Sequence, residues 1–429
     1  MLKQGIMGID IGGTGIKAGV FDENGQLLSF VSARTIHAYK SKKTGIGIHR
    51  SFVADELWKL TKSAISDAVL QVKDTCEIAS IGISSLGCTV LLFDRDDCQI
   101  EAAPDPQLRE QEYEKLKAAL DAATFHARTG YPLEKELEGL SLICDAKIRC
   151  DIAKICTVDD YIVWKLTGAL TKNYSTAASV GMWDTMNDDW LPFLKEESGL
   201  SDRVLGHPQN SGEFVGMVRE SIAGELGLST HVKVSTGGMD YQCAAFSVHE
   251  LIGPRLLNVT GTFDLMALYG AWDARNISVR NMLDYHVIPD RCSVMVECAG
   301  AIQTEWLKNK VTGQSKHGDF VSWETFCEGL AEQYETQMCH REVFLPYVFG
   351  SLIPSADEDT TGVFGGLNCD TDPRMLLRTM LEGMAFQMKY VADYLSKGDC
   401  EKQIVAVGGG SRNRTWVQIK ADVTGRDII

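Results

Sequence analysis

Four short stretches of this 429-residue sequence combine residue types that can do chemistry together. In Gly8-Ile-Asp10-Ile-Gly12-Gly13-Thr14-Gly-Ile-Lys17 an apolar strand runs into a carboxylate, then glycines, then a hydroxyl. Backbone N–H groups exposed in such a turn can wrap phosphate oxygens, and Asp10 can hold Mg2+ through water. A plain glycine-rich hairpin is the alternative. The stretch is neither a Walker loop nor a dinucleotide fingerprint, because G-x-x-x-x-G-K-[ST] is absent and no helix follows. Thr236-Gly-Gly238-Met-Asp240 sets a carboxylate between an apolar strand and a helix, at the sheet edge where α/β proteins place ligands. Asp240 there can take a proton from a hydroxyl that attacks phosphorus, or it can simply cap the helix. Asn258-Val-Thr-Gly261-Thr262 repeats the strand–Gly–Thr–strand order and reads either as a second half-clamp for a triphosphate or as an ordinary hairpin. Gly408-Gly409-Gly410-Ser-Arg-Asn413 follows a strand and opens a helix. Its flat backbone suits a planar ring and Asn413 suits a nucleotide edge, with a plain strand–helix turn as the alternative.

These stretches need elements to position them. Alternation and turn residues predict strands at Gly5–Ile11, Ile16–Phe21 and Gln26–Ala33, with Asp22-Glu-Asn24-Gly25 as the second turn. Leu57, Leu60, Ala64, Ile65, Ala68 and Val69 make a helical stripe over Asp55–Val72. Strands follow at Ile78–Ser84 and Val90–Phe93. From Tyr113 to Glu225 the pattern is largely helical, with Trp164, Trp183 and Trp190 as core or cleft aromatics. Further strands are expected at His231–Ser235, Arg255–Thr260, Phe263–Tyr269 and Gln403–Val407, and helices at Tyr241–Val248, Asp372–Leu395 and Ser411–Val423. Strands alternating with long helices define an α/β protein. The turn signal Leu251-Ile-Gly253-Pro254 places a boundary that gives domains 1–250 and 251–429.

Composition narrows the function classes. With 42 Lys+Arg against 58 Asp+Glu the net charge is −16, which argues against nucleic acid or an anionic membrane as the main partner. Hydrophobic residues at 45% and charged residues at 23% are ordinary for a globular protein. The start is no signal peptide, and no run of about 18 apolar residues occurs, so a cytoplasmic, reduced protein is expected. Thirteen Cys are too sparse for a disulfide scaffold. Cys144, Cys150 and Cys156 would share no helix face, no Cys-x-x-Cys occurs, and no H-E-x-x-H pattern is present, so buried thiols are the expectation.

Together the order and spacing of the motifs resemble the FGGY carbohydrate kinases, a family of sugar and polyol kinases, along nearly the whole chain. Gly8–Thr14 is similar to the family's first phosphate loop, and Ile81-Gly-Ile-Ser84 with Val90–Asp94 to the strand pair that frames its sugar site. Asp160-Tyr-Ile-Val-Trp164-Lys-Leu-Thr-Gly168 is similar to its D-Y-x-x-W-x-L-T-G helix, and Gly238-Met-Asp240 to its G-x-D. Gly261-Thr262 resembles its second phosphate loop, and Gly408–Asn413 with Trp416 its adenosine site. The resemblance implies a two-domain ribonuclease H-like fold of the actin and hexokinase type, with an interdomain cleft. It implies transfer of phosphate from ATP, with Mg2+, to a hydroxyl of a small sugar, ketose, polyol or sugar acid. No nucleic-acid or membrane partner is implied, and a homodimer is the candidate assembly. Residue by residue, it makes Asp240 the catalytic base and Asp10 the metal-side carboxylate. Gly12, Gly13, Thr14, Lys17, Gly261, Thr262, Gly409, Gly410 and Asn413 would hold the nucleotide. Ser85, Cys88, Asp105, Trp183, Asp240 and Tyr241 would line the sugar.

The chain departs from the family pattern in places. Tyr241 stands where glycerol kinases carry Gln, and Leu86 and Cys88 lie near where the xylulose-kinase pattern places Gln and His. Ending at Arg426-Asp-Ile-Ile429, the sequence is expected to lack the family's C-terminal end and to leave the second domain incomplete. That expectation keeps an alternative in view, a non-catalytic ATP-binding or regulatory protein of the same fold.

Overall fold

The structure is a computed structural model of the chain, and it describes every residue except 1–2, 14, 45–46, 103–104, 254, 262–263, 272–280, 312–340, 352, 354–358 and 400. The chain divides into two compact units, Met1–Phe246 with Asp284–Arg291, and Ser247–Leu283 with Cys292–Ile429.

In the first unit, β1 (Lys3–Ile11), β2 (Gly15–Asp22) and β3 (Leu27–Arg34) form an antiparallel meander. Met7, Ile9 and Ile11 alternate inward along β1 and join one core with Leu57, Trp58, Ile65 and Ala68 of α1 (Ala54–Val72). Each of the Met, Ile and Leu side chains among them gains roughly 1.5–3 kcal/mol on burial. The β2–β3 turn closes on Asp22, whose Oδ1 accepts from the N–H groups of Asn24 and Gln26 at 3.0 Å each, while Gly25 takes φ +77°. β4 (Cys76–Ser85) lies parallel to β1.

Beyond it, β5 (Val90–Phe93) pairs antiparallel with β6 (Lys154–Thr157), which leads directly into α2 (Val158–Thr167). Then β7 (Phe214–Met217), β8 (Lys233–Ser235) and the two-residue β9 (Gly238–Met239) complete the main sheet. Its order is β7-β8-β4-β1-β2-β3, with β9 also on β4. The segment expected to be largely helical is broken by a small hairpin that pairs Trp183 with Trp190. Their rings meet edge to face at 5.2 Å, so cross-strand aromatic packing overrides the helical stripe. A further hairpin, Tyr39–Thr44 with Gly47–Phe52, has no counterpart in the sequence reading.

β9 leads directly into α3 (Asp240–Ile252). β10 (Leu256–Thr260), β11 (Asp264–Ala271), β12 (Met282–Tyr285), β13 (Arg291–Cys298) and β14 (Ile404–Val407) form a sheet in the order β12-β13-β11-β10-β14, which belongs to the second unit except for Asp284, Tyr285 and Arg291, grouped with the first. The helices α4 (Pro373–Leu395) and α5 (Arg414–Thr424) contribute to its cores. The helix expected from Ser411 begins three residues later, because Gly409–Arg412 first makes a 3-10 turn and Asn413 caps α5 by accepting the Trp416 N–H at 3.1 Å. The last residues dock on β14: the Ile404 N–H donates to the Asp427 carbonyl at 3.0 Å and the Ala406 N–H to that of Ile429 at 2.9 Å.

One buried ion pair holds α5 to the β10–β11 hairpin. Lys420 Nζ donates to Asn258 Oδ1 at 2.7 Å, Thr260 Oγ1 at 2.9 Å and Asp264 Oδ2 at 2.5 Å, and it lies 4.4 Å from the Trp416 ring centroid. Burial pulls the ammonium of Lys420 down and pushes the Asp264 carboxyl up, against the attraction of each for the other. Lys420→Met should therefore strand a buried carboxylate and cost about 3–5 kcal/mol in denaturant unfolding, whereas Lys420→Met with Asp264→Leu should recover most of the loss.

Candidate active site

Register brings the first group of functional side chains together. Asp10 of β1 sits opposite Ser84 of β4, and Gly238 of β9 pairs with the same Ser84 from the other side. Three strand ends thus finish level at the carboxyl edge of the sheet, with Asp10 on one and Asp240 immediately beyond another. Asp10 Oδ1 accepts from Ser84 Oγ at 2.9 Å, and Oδ2 receives the Lys17 ammonium at 2.7 Å. The pair is partly open to water, with the side chains of Lys17 and Asp10 51% and 32% exposed. Burial, with the charge of Asp10 added to it and that of Lys17 opposing, pushes the Asp240 carboxyl from 3.8 up to about 7. A carboxylate so poised is suited to accept a proton near neutral pH.

Beneath the edge lies a buried polar lattice centred on Asp159, the second residue of α2. Its Oδ1 accepts from Ser85 Oγ at 3.1 Å and Thr157 Oγ1 at 2.8 Å, and its Oδ2 from the Asn173 amide. The Asn173 Oδ1 accepts from Ser175 Oγ at 2.6 Å, and that hydroxyl in turn accepts the N–H of Met239 at 2.9 Å. The lattice therefore reaches the residue before Asp240. Burial raises the Asp159 carboxyl, and it raises that of Asp160 to about 7, with the charge of Asp159 adding to the rise. Asp160 closes a capping box with Thr157 at the start of α2. Gly237 has no room for a side chain, because a Cβ there would run into the Asp159 carboxylate.

The second unit repeats the geometry with different residues. β10 runs parallel to β14 with Asn258 opposite Ala406 and Val259 opposite Val407, so the turns after Thr260 and after Val407 leave the same sheet edge. A Cβ on Gly408, which takes φ +95°, would meet the Thr260 carbonyl at 2.6 Å, and one on Gly410 would strike the Thr260 side chain. The end of β10 at Thr260 and the three-glycine turn are therefore in direct contact.

The sugar-lining residues read from the sequence have varied fates. Cys88 is exposed at φ +52°, its N–H donating to Ser179 Oγ at 2.9 Å. Tyr241 is buried and its hydroxyl donates to Asp284, so only its backbone remains near the edge. Ser85 is fully buried on Asp159 and faces no open space. Asp105 caps the helix Pro106–Ala119, with Oδ1 accepting from Gln107 and Leu108. Trp183 is fully buried, and its indole N–H finds no acceptor among the described residues. Gly12 and Gly13 lie in the β1–β2 turn, where the Gly12 N–H donates to the Gly15 carbonyl at 2.9 Å and Gly13 accepts from Thr35. Thr14 and Thr262 lie outside the described residues. Gly409 and Gly410 belong to the 3-10 turn, and Asn413 uses its Oδ1 as the cap of α5. Sequence reasoning missed Asp159, Asn173 and Asp284. Asp159 adjoins a recognised motif, but nothing in the sequence around Asp284 marks it.

Comparison with known proteins defines the class. Residues 5–247 match the family model for the N-terminal domain of the FGGY carbohydrate kinases, and residues 279–429 match that for the C-terminal domain. This chain belongs to the FGGY family of carbohydrate kinases. Its fold is the two-domain α/β ATPase fold of the actin and hexokinase type. A xylulose kinase of Lactococcus lactis subsp. lactis (strain IL1403) is 24% identical over 442 residues, which cover 99% of this chain and 84% of that one. The crystal structure of xylulose kinase from Rhodospirillum rubrum shares the fold at a TM-score of 0.78 and 20% identity, covering 99% of this chain and 86% of the other. That of gluconate kinase from Lactobacillus acidophilus does so at 0.78 and 19%, covering 99% and 85%. The expectation that the family's C-terminal end is lacking is corrected by the match of the C-terminal domain through residue 429. Arg426 is buried, and its guanidinium donates to Asp393 Oδ1 at 2.8 Å and Ser396 Oγ at 2.9 Å, so this stretch is docked. Among the described residues, no helix is long and apolar enough to cross a membrane, and no three or more His, Cys, Asp or Glu gather to hold a metal.

The raised carboxyl of Asp240 has a cost that can be measured. Its folded-state value of about 7 exceeds 3.8, so the folded chain keeps a proton that the unfolded chain has released, and stability is lost as pH rises between the two. Asp240→Asn never ionises and caps a helix equally well. It should melt above the wild type at pH 8 in a thermal scan, with the gap closing as the pH approaches 4.

Proposed function

We propose that the chain transfers the γ-phosphoryl group of ATP to a hydroxyl of a small ketose, polyol or sugar acid. The observation that carries this reading is the placement of Asp240. A half-buried carboxyl tuned to about 7 stands at a level sheet edge, with β4 between its strand and that of Asp10. Asp240 would take the proton from the attacking hydroxyl as the phosphoryl group moves in line. The turn at Gly12 and Gly13, with Thr14 and Lys17, would hold phosphate oxygens from the first unit. On the second unit, Gly261, Thr262, Gly409, Gly410 and Asn413 are the residues that would take the nucleotide.

The residues fit a magnesium ion. Asp10 offers hard oxygen donors at the partly open edge, and its charge raises Asp240, a repulsion that a divalent cation would relieve. Bound there, Mg2+ supplies charge neutralisation to the phosphates. Lys17, already on Asp10, would be free to turn toward a phosphate once that carboxylate is otherwise engaged. The relatives are named for xylulose and gluconate, which supports a short-chain ketose or sugar acid as the acceptor class.

The test is Asp240→Asn in a coupled ADP-release assay across ketoses, polyols and sugar acids. Loss of a general base is typically worth about 10²–10⁴ in rate. The expected result is a kcat at least about a hundredfold lower, with dissociation constants for ATP and sugar changed only a few-fold. A folded Asp240→Asn protein that turns over normally would sink the mechanism, and a wild type that binds ATP but phosphorylates no acceptor would favour the non-catalytic alternative.

A further inference from the structure

Beside the base lies a buried cluster that the reaction as described does not use. The hydroxyls of Tyr131 and Tyr241 donate to the two carboxylate oxygens of Asp284, one to each. The three residues are 5%, 3% and 0% exposed. Burial pushes the Asp284 carboxyl up to about 7, with the Tyr131 hydrogen bond opposing, so the fold bears the cost of an acid here where an apolar residue would bear none. What the cluster grips is informative. Tyr241 directly follows Asp240, and its backbone N–H donates to Asp240 Oδ1 at 2.7 Å. The first-turn N–H groups of a helix have no partner within the helix, so this one is free to hold the base. Tyr241 is thus anchored by its hydroxyl at one end and holds the catalytic carboxylate by its amide at the other.

We propose that Asp284 is a positioning residue, which through the Tyr241 hydroxyl fixes the amide that orients the Asp240 carboxylate. The inference rests on the phosphotransfer role given to Asp240 above. Tyr131 is the internal control, since its hydroxyl meets the same carboxylate from outside α3 and reaches Asp240 only at one further remove, through Asp284 and Tyr241. A merely structural cluster would respond alike to the loss of either phenol.

The experiment compares Tyr241→Phe, Tyr131→Phe, Asp284→Asn and the double variant Tyr241→Phe/Asp284→Asn with the wild type. Misplacement of a catalytic group by a fraction of an ångström is costly, up to about 10²-fold for 1 Å. Tyr241→Phe and Asp284→Asn should each lower kcat about tenfold with the KM for sugar and for ATP within about twofold. The double variant should be no slower than either single one, because both cut the same connection. Tyr131→Phe should keep near-wild-type kcat even where its melting temperature falls. A second readout needs no turnover: in protein labelled with 15N-tyrosine, the amide signal of Tyr241, identified by its disappearance in Tyr241→Phe, should move in Asp284→Asn. Equal slowing by both phenylalanine variants, a rise in the sugar KM in place of a fall in kcat, or an unmoved Tyr241 amide would each overturn the proposal. A wild type without activity on any acceptor would instead remove the phosphotransfer reading, and the amide signal alone would then decide whether Asp284 orients Asp240.

Discussion

The carboxylate of Asp159 is the point on which the rest of the first unit depends. Four donors or donor chains converge on it: Ser85 from the end of β4, Thr157 from the end of β6, Asn173, and through Asn173 the Ser175 hydroxyl that receives the Met239 amide. A buried carboxylate that only accepts hydrogen bonds is costly unless every neighbour donates. Here the neighbours are the ends of the strands that must finish level. Satisfying Asp159 and aligning β4 with β9 are therefore the same event, and Gly237 is a glycine because the lattice leaves no space for a Cβ.

This arrangement explains which parts of the site were legible in the sequence. The strand–glycine–strand stretches announce themselves because turns need particular residues, and they fall at β1–β2, β10–β11 and after β14 with boundaries within one or two residues of expectation. Asp240 is legible because a carboxylate between an apolar strand and a helix is a local pattern. Asp284 is not, since it reaches Tyr131 and Tyr241 across separations of 153 and 43 residues, and no local rule ties an aspartate to such partners. Ser85 and Asp105 carry structural bonds that the sequence does not show. Both are polar residues at strand or helix ends near the expected sugar site, yet the fold uses one to satisfy Asp159 and the other as a cap. Local chemistry gives the inventory of polar groups, and only packing decides which of them still face a ligand.

The two units solve one geometric problem with opposite charges. Each needs a glycine turn at the carboxyl end of a strand, backed by a parallel neighbour whose own turn presses against it. In the first unit the backing is a buried carboxylate that gathers hydroxyls and amides. In the second it is Lys420, whose ammonium takes Asn258, Thr260 and Asp264 at once and so fixes the hairpin that carries Gly261. A cation on a helix behind the turn can reach three acceptors from one nitrogen, and it needs a single counter-charge to stay buried. Asp264 supplies that charge from the far strand of the same hairpin.

Charge also sets where the fold is under tension. A carboxyl raised by burial and by a like charge is unfavourable to the folded state once it ionises, and Asp240 bears both burdens because Asp10 is its neighbour. Asp10, by contrast, has Lys17 on one oxygen and Ser84 on the other. The asymmetry is what gives two adjacent aspartates different capacities: one is held with a cation and a hydroxyl at the partly open edge, the other is left short of partners and ready for a proton. Tyr241 supplies Asp240 with a single amide, enough to aim it and too little to relieve it. Given further donors, Asp240 would lose much of the rise of its carboxyl to about 7, so the local instability of this corner and its readiness for a proton have one cause.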